Sequence, residues 1–428
     1  MFTRRNFLSA TLASTCAPIL GAPCAWAEPP AKAPRKKMAI IATEYRMQSL
    51  ALHMGDRFLS GYPLDGSWHA PGLDVVSMYV DQTTATDLSR QRAAEYGFTI
   101  YPTIAQALRC GGDKLAVDAV LTIGEHGNYP LNEIGQKLYP RYEFFKQAAD
   151  VFRKDGRSVP LYNDKHLSWK WEWAKEMVDT SHELGFPFMA GSSLPVTWRM
   201  PAVDMPLGAE VEEVMCVGFG AMDVYDFHAL ETIQCMAERR RGGETGVAAI
   251  QALRGDNVWA AMKAGSWAAG GWDPQLFEAG LCRSQTLGQA RKGFGDRHPT
   301  DDEMRQLVKD PIAYRFEYRD GLKATMLLLS GLVHDLNFAA RLKGLSQPLS
   351  TLFYLPPDPN VAYSAVLMSK AESMFLTGKP PYPVERTLLT TGLVAAGIQS
   401  LAQGQKRLET PHLGIRYEAP RESGFART

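Results

Sequence analysis

Residues 118–140 read DAVLTIGEHGNYPLNEIGQKLYP, and the break inside this stretch decides the fold. Val117 to Ile123 is an almost wholly apolar run, short enough for a strand buried on both faces. It stops at Gly124-Glu125-His126-Gly127-Asn128-Tyr129-Pro130, which sets an acid, an imidazole, an amide and a phenol in one turn. Ligands of open α/β sheets collect just beyond the carboxyl ends of the strands. A polar cluster at that point reads as a site, or as a loop whose Glu and Asn tie down backbone groups.

The flanking segments repeat the pattern. Upstream, MAIIAT (38–43) predicts a first strand, followed by a helix with Met47, Leu50, Ala51, Met54 and Phe58 on one face, closed by Gly61. LDVVSMYV (73–80) predicts a second strand ending in Asp81, followed by a helix over 86–96, a short strand FTIY and a helix over 103–110. Downstream, the spacing predicts a long helix over 132–154, a strand over 157–162, a helix capped by Ser168, and a strand over 186–190. Strands alternating with helices over this length imply a doubly wound, mostly parallel, Rossmann-like sheet.

From Gly191 the pattern changes. In YRFEYRDGLKATMLLL, Tyr314, Phe316 and Tyr318 alternate with charged residues before Asp320-Gly321, the signature of a tight hairpin. A second, α+β domain over 191–428 with a largely antiparallel sheet is expected, closed by a helix over 385–403.

A chain of 428 residues with 45% apolar and 21% charged residues is globular and long enough for two or three domains. Basic and acidic residues balance at 46 each, which gives no footprint for nucleic acid. Thr3-Arg4-Arg5-Asn6-Phe7-Leu8 has the form of a twin-arginine export signal, with a short, interrupted apolar run and Ala25-Trp26-Ala27 as a cleavage site. Cleavage there removes Arg4, Arg5 and no acids, leaving 44 basic residues against 46 acidic. A signal over 1–27, a linker over 28–37 and a first domain over 38–190 are expected, in a periplasmic or other extracytoplasmic protein handled by the twin-arginine machinery. Cys110, Cys216, Cys235 and Cys282 remain, with no CxxC among them, and are read as buried thiols.

With this order of elements in hand, VDAVLTIGEHGNYP and GRSVPLYNDKHLSWKWEWAKEMVDTSHELGFPF together resemble the glucose–fructose oxidoreductase/inositol dehydrogenase (Gfo/Idh/MocA) superfamily. The resemblance spans about residues 38–417. Asn163-Asp164-Lys165-His166 stands where that superfamily has E-K-P, and GAMDVYDFHALETIQC is similar to its D-x-G-x-H-x-x-D stretch. The resemblance implies oxidation or reduction of a sugar or polyol with NAD or NADP. It also implies Lys165 and His228 as the proton-moving pair, and Thr43, Asp81 and Gly124 at cofactor positions. A homo-oligomer is compatible with it.

The chemistry needs such residues. Hydride leaves a carbinol carbon more readily as its hydroxyl loses a proton, so a base must lie within hydrogen-bond reach. The first βα turn departs from the pattern: Ala42-Thr43-Glu44-Tyr45-Arg46-Met47 has no glycine, and Glu44 brings negative charge to where two phosphates would lie. Two other readings therefore stand beside the first. One is non-redox cleavage or elimination of a glycoside, with Glu125 and either His126 or Lys165 as acid and base. The other is carbohydrate binding without catalysis, with Trp68 and Trp198 stacking on sugar faces. Glu125, His126 and His166 or His228 are metal-ligand types, but no spacing among them calls for a metal.

Overall fold

The computed structural model describes residues 35–288, 297–357 and 361–427. The expected export signal and most of the linker lie outside the described residues; Lys36 and Lys37, assigned to that linker, begin the first strand.

Six strands form a parallel sheet: β1 (Lys36–Ala42), β2 (Leu73–Val80), β3 (Thr99–Ile100), β4 (Ala119–Ile123), β5 (Leu161–Asp164) and β6 (Phe188–Gly191), in the order β3-β2-β1-β4-β5-β6. The direction of winding reverses between β1 and β4, the switch point at which such sheets take ligands. Alternate residues of β1 face opposite ways, and both faces are buried. Met38, Ile40 and Ala42 pack under α1 (Leu50–Ser60) and α10 (Tyr363–Thr377). Ala39 and Ile41 pack under α3 (Ile104–Leu108), α4 (Arg141–Asp155) and α5 (Trp171–Glu183). Helix α10 arrives from the far end of the chain to close this first sheet.

The second sheet has eight strands: β7 (Trp198–Met200), β8 (Val211–Gly218), β9 (Val247–Arg254), β10 (Ile312–Tyr318), β11 (Lys323–Leu328), β12 (Leu336–Leu342), β13 (Leu349–Tyr354) and β14 (Leu408–Glu409). Their order is β14-β9-β10-β11-β8-β12-β13-β7, antiparallel throughout except for the β8–β11 pair. The hairpin expected at Asp320-Gly321 is present, with Gly321 at φ +92°. One face packs on α6 (Tyr225–Ala237) and α11 (Glu385–Ala402). The other is covered by the segment between β9 and β10, which carries α7 (Asp256–Ala264), α8 (Pro274–Leu281) and α9 (Asp301–Leu307) and buries Trp259, Trp272 and Phe277.

Three local expectations are corrected. The helix read over 132–154 begins only at Arg141. Asn132 Oδ1 accepts from the backbone N–H of Ile134 and Gln136, and this local bonding holds 132–136 as a turn. The helix read from Met47 begins at Leu50, because Gln48 takes φ +62° and Ser49 caps, leaving Met47 64% exposed. Ser168 does not cap α5; its Oγ accepts from Lys170 N–H, and the helix starts at Trp171. Cys216 and Cys235 are buried as expected, but Cys282 is exposed and Cys110 half-buried; all four thiols are free.

Candidate active site

The carboxyl ends of β4, β5 and β6 deliver a set of buried polar side chains to one place. β4 ends at Ile123, and the missing side chain of the next residue, Gly124, has a direct use: a Cβ there would lie 2.7 Å from Arg141 Cγ. Arg141, at the first turn of α4, thereby reaches in beside Glu125. Glu125 is buried and doubly paired. Its Oε1 accepts from Lys165 Nζ at 2.7 Å, and its Oε2 from Arg141 Nη2 at 3.1 Å. Burial alone would raise its pKa; the charges of Lys165 and Arg141 override burial and bring it down to about 2. Lys165 responds in kind. Burial would discharge it, but Glu125 and Asp164 hold its pKa above the ordinary lysine value.

Lys165 sits at the end of β5 with φ +60°, and its N–H donates to the Gly191 carbonyl at 3.0 Å. His126 (φ +72°) and Asp223 (φ +66°) are also left-handed without being glycine. Strained backbone of this kind collects where surrounding structure holds functional side chains in place. Asp164 precedes Lys165 and is fully buried, with neither carboxyl oxygen hydrogen-bonded within the protein. Burial, reinforced by Glu125, pushes its pKa up to about 7, so near neutrality it retains a proton in a large share of molecules.

Helix α6 supplies His228 and Glu231. His228 Nδ1 is 2.9 Å from Ser192 Oγ, and Ser192 Oγ is 2.5 Å from Glu231 Oε2. Burial, with Lys165 adding to it, drops the His228 pKa to about 3, so the ring is neutral. His166 is neutral too, for burial and the Arg141 charge push its pKa far down. Its Nε2 accepts from Arg141 Nη1 at 3.1 Å while Nδ1 donates to the Ser168 carbonyl.

Glu125, His126, Asp164, Lys165, Ser192 and His228 line one cavity of about 460 Å³. The four residues expected to carry catalysis, Lys165, His228, Glu125 and His126, are thus brought together. Trp68 and Trp198 lie outside this cavity. Among the described residues, no group of three or more His, Cys, Asp or Glu side chains is arranged to hold a metal ion.

Thr43, Asp81 and Gly124, the expected cofactor contacts, are each engaged by the chain itself. Thr43 Oγ1 donates to the Glu125 carbonyl at 2.5 Å. Both Asp81 oxygens accept from phenols, Oδ1 from Tyr79 at 2.7 Å and Oδ2 from Tyr129 at 2.6 Å. Beyond the end of β1 the first turn is stitched to the segment after β2. Gln82 N–H donates to the Thr43 carbonyl, Leu88 N–H to the Tyr45 carbonyl, and the backbones of Arg46 and Asp87 pair in antiparallel fashion. The loop after β4 crosses the same place, with Gln82 and Asn128 exchanging two hydrogen bonds. At the start of α1, Leu50 N–H points to His126 Nδ1 at 3.4 Å and Leu52 N–H to Ser49 Oγ at 3.2 Å. A pyrophosphate needs those helix-end donors and a bare, glycine-lined approach. These residues do not fit a dinucleotide laid across β1 in that way.

Sequence reasoning passed over Arg141 and Ser192, and took in Asp164 only as a neighbour of Lys165. The signal for Arg141 was the glycine facing it, legible only once α4 is placed over β4.

No family model matches the chain, and no curated protein matches its sequence. Solved structures do match its fold. GenD2 from gentamicin A biosynthesis in complex with NAD aligns with a TM-score of 0.55 at 12% identity, covering 88% of this chain and 96% of its own. Myo-inositol dehydrogenase from Lactobacillus casei in complex with NAD(H) and myo-inositol gives 0.51 at 12% identity, covering 91% and 99%. A probable dehydrogenase from Thermotoga maritima gives 0.52 at 10%, covering 88% and 99%. At such identities the likeness is one of fold, and it includes both sheets. The chain thus shares the two-sheet fold of these solved structures.

Proposed function

We propose that the protein is an acid–base enzyme that eliminates or cleaves a C–O bond in a sugar or polyol derivative, without a dinucleotide held over β1. The observation that carries this reading is a pair of buried carboxyls beside one lysine, pushed in opposite directions. Glu125 is held ionised by Lys165 and Arg141, while burial raises Asp164, whose oxygens have no partner inside the protein, to about 7, so that it can carry a proton near neutrality. Environments that push two carboxyls apart in this way give them different roles: Glu125 stays an anion that keeps Lys165 charged, and Asp164 is left to act as the acid. In the elimination form, neutral His228 takes a proton from the ligand carbon, and its electrons form the new double bond. The ammonium of Lys165 stabilises negative charge developing on a neighbouring oxygen. Asp164 gives its proton to the departing oxygen. The sugar or polyol class is supported by the structural neighbours, one of which holds myo-inositol.

The test is incubation of the purified protein with a panel of glycosides, with and without NAD and NADP. Product formed equally in both is expected. No product unless a dinucleotide is added, together with reduction of that dinucleotide, would overturn the reading in favour of a dehydrogenase. Asp164→Asn is expected to lower kcat by about 10²–10⁴ with KM little changed, the range for losing a general acid. We also propose export, on the twin-arginine pattern of residues 1–27. Retention of the protein in the cytoplasm when Arg4 and Arg5 are intact would oppose it.

A further inference from the structure

Behind His228 lies a group that the acid–base assignment leaves unused. Glu231 is fully buried on α6, three residues after His228. Its Oε2 lies 2.5 Å from Ser192 Oγ and 3.0 Å from Ser192 N–H, and Ser192 Oγ in turn lies 2.9 Å from His228 Nδ1. The backbone is shaped to admit this contact. Gly191 takes φ +122°, and a Cβ there would lie 2.6 Å from Glu231 Oε1. With Nδ1 committed to Ser192, Nε2 is the ring nitrogen left for a ligand in the cavity.

We propose that Ser192 and Glu231 form a proton relay behind His228, carrying a proton from the cavity to Glu231 while the imidazole stays neutral. The relay has two hydrogen-bonded states. With Glu231 ionised, Ser192 Oγ–H donates to it, Nδ1–H donates to Ser192, and Nε2 presents a lone pair. With Glu231 protonated, every donor reverses: Glu231 donates to Ser192, Ser192 donates to Nδ1, and Nε2 carries the hydrogen. A proton taken at Nε2 therefore displaces the one on Nδ1 to Ser192 Oγ, whose own proton passes to Glu231 Oε2. One proton moves, no charge resides on the ring, and nothing is oxidised. Burial makes this route favourable, because it opposes an imidazolium at His228 and raises the Glu231 pKa to about 7.

Other groups bear on the pair. Lys165 and Glu125 face His228, with the Tyr225 and Phe227 rings packed on it. Arg386 and Lys165 pull the Glu231 pKa down, while Asp164 and the Tyr162 and Tyr382 hydroxyls lie close to it. Glu231 and Ser192 are positioning residues, acting through His228.

The proposal rests on His228 as the proton acceptor, and its test needs no substrate. The full chain, labelled with nitrogen-15 histidine, is followed by NMR across about pH 5 to 9, the range in which a neutral ring can report its tautomer. His228 is expected to hold hydrogen on Nε2 at the acid end and on Nδ1 at the alkaline end. Ser192→Ala is expected to abolish the exchange and Ser192→Thr to retain it. One tautomer throughout in the wild type, or an undiminished exchange in Ser192→Ala, overturns the relay. If Ser192→Ala does not fold, the wild-type titration alone decides. Loss of the relay leaves the elimination reading standing, and absence of turnover leaves the tautomer exchange measurable.

Discussion

Lys165 and Arg141 each neutralise one oxygen of a buried carboxylate, so neither can be removed without exposing the other two groups to an imbalance. Lys165→Met should cost about 3–5 kcal/mol, the range for breaking a buried ion pair on one side. Urea denaturation would read this; a loss below about 1 kcal/mol would mean that the pair is solvated like a surface bridge. At this scale the sequence disclosed the cluster unevenly. Glu125 and His126 stood out because a strand ended in polar residues, and Lys165 and His228 because they matched a family pattern. Asp164 was in view as Lys165's neighbour, but its character comes from burial without a partner, and no string of residues encodes that. Ser192 likewise gains meaning only when β6 and α6 converge on it.

Among the elements, the hairpin of Tyr62–Leu64 and Ser67–His69 shows how a short piece is held. Glu372 of α10 accepts from the Tyr62 hydroxyl, from Gly72 N–H at 2.6 Å, and bonds His69 Nε2 at 3.0 Å. Glu372→Ala would strand these partners, and each buried polar group so left costs about 1–3 kcal/mol. Hydrogen exchange should show residues 62–72 losing protection before the β1–β4 core does; uniform loss across the sheet would contradict a local anchor. The strands and their parallel order followed from periodicity, because a doubly buried strand is an apolar run whatever its partners. Helix starts were less legible. Asn132 and Gln48 both sit in stretches with helical spacing, and side-chain capping or a left-handed residue ends the helix there.

Over the whole molecule, buried carboxyls set an unusual dependence on pH. Burial raises Asp164, Asp223 and Glu231 to about 7 and Asp226 to about 6. An acid whose folded pKa is raised contributes stability that is complete below its unfolded value, near 4, and is lost as pH rises toward 7. Glu125, depressed to about 2, has the opposite sign: its contribution is complete above its unfolded value and lost as pH falls toward 2. Buried neutral His228 and His166, whose pKa values are pushed down, contribute stability that grows as pH rises toward 6.5 and offset part of this loss, so the denaturation midpoint should peak at about pH 4–5 and decline only gradually toward neutrality. A midpoint that climbs steadily from pH 5 to 8 would show that these acids are ionised and solvated, contrary to their burial.

Helix α10 is also a statement about when this protein becomes a protein. It seals the first sheet with Val366, Leu367, Ala371, Met374 and Phe375, residues made long after β6 has left the ribosome, and Ala426 N–H closes on the Val196 carbonyl later still. A fragment of residues 35–192 should lose amide protection and bind a hydrophobic dye, since one face of its sheet would keep α1 but not α10; a cooperatively folding fragment would refute this. During synthesis the first half must wait, unsealed, for the last. Any factor that acts on the finished fold, whether loading a ligand or carrying the protein across a membrane, can begin only once these late residues have been made.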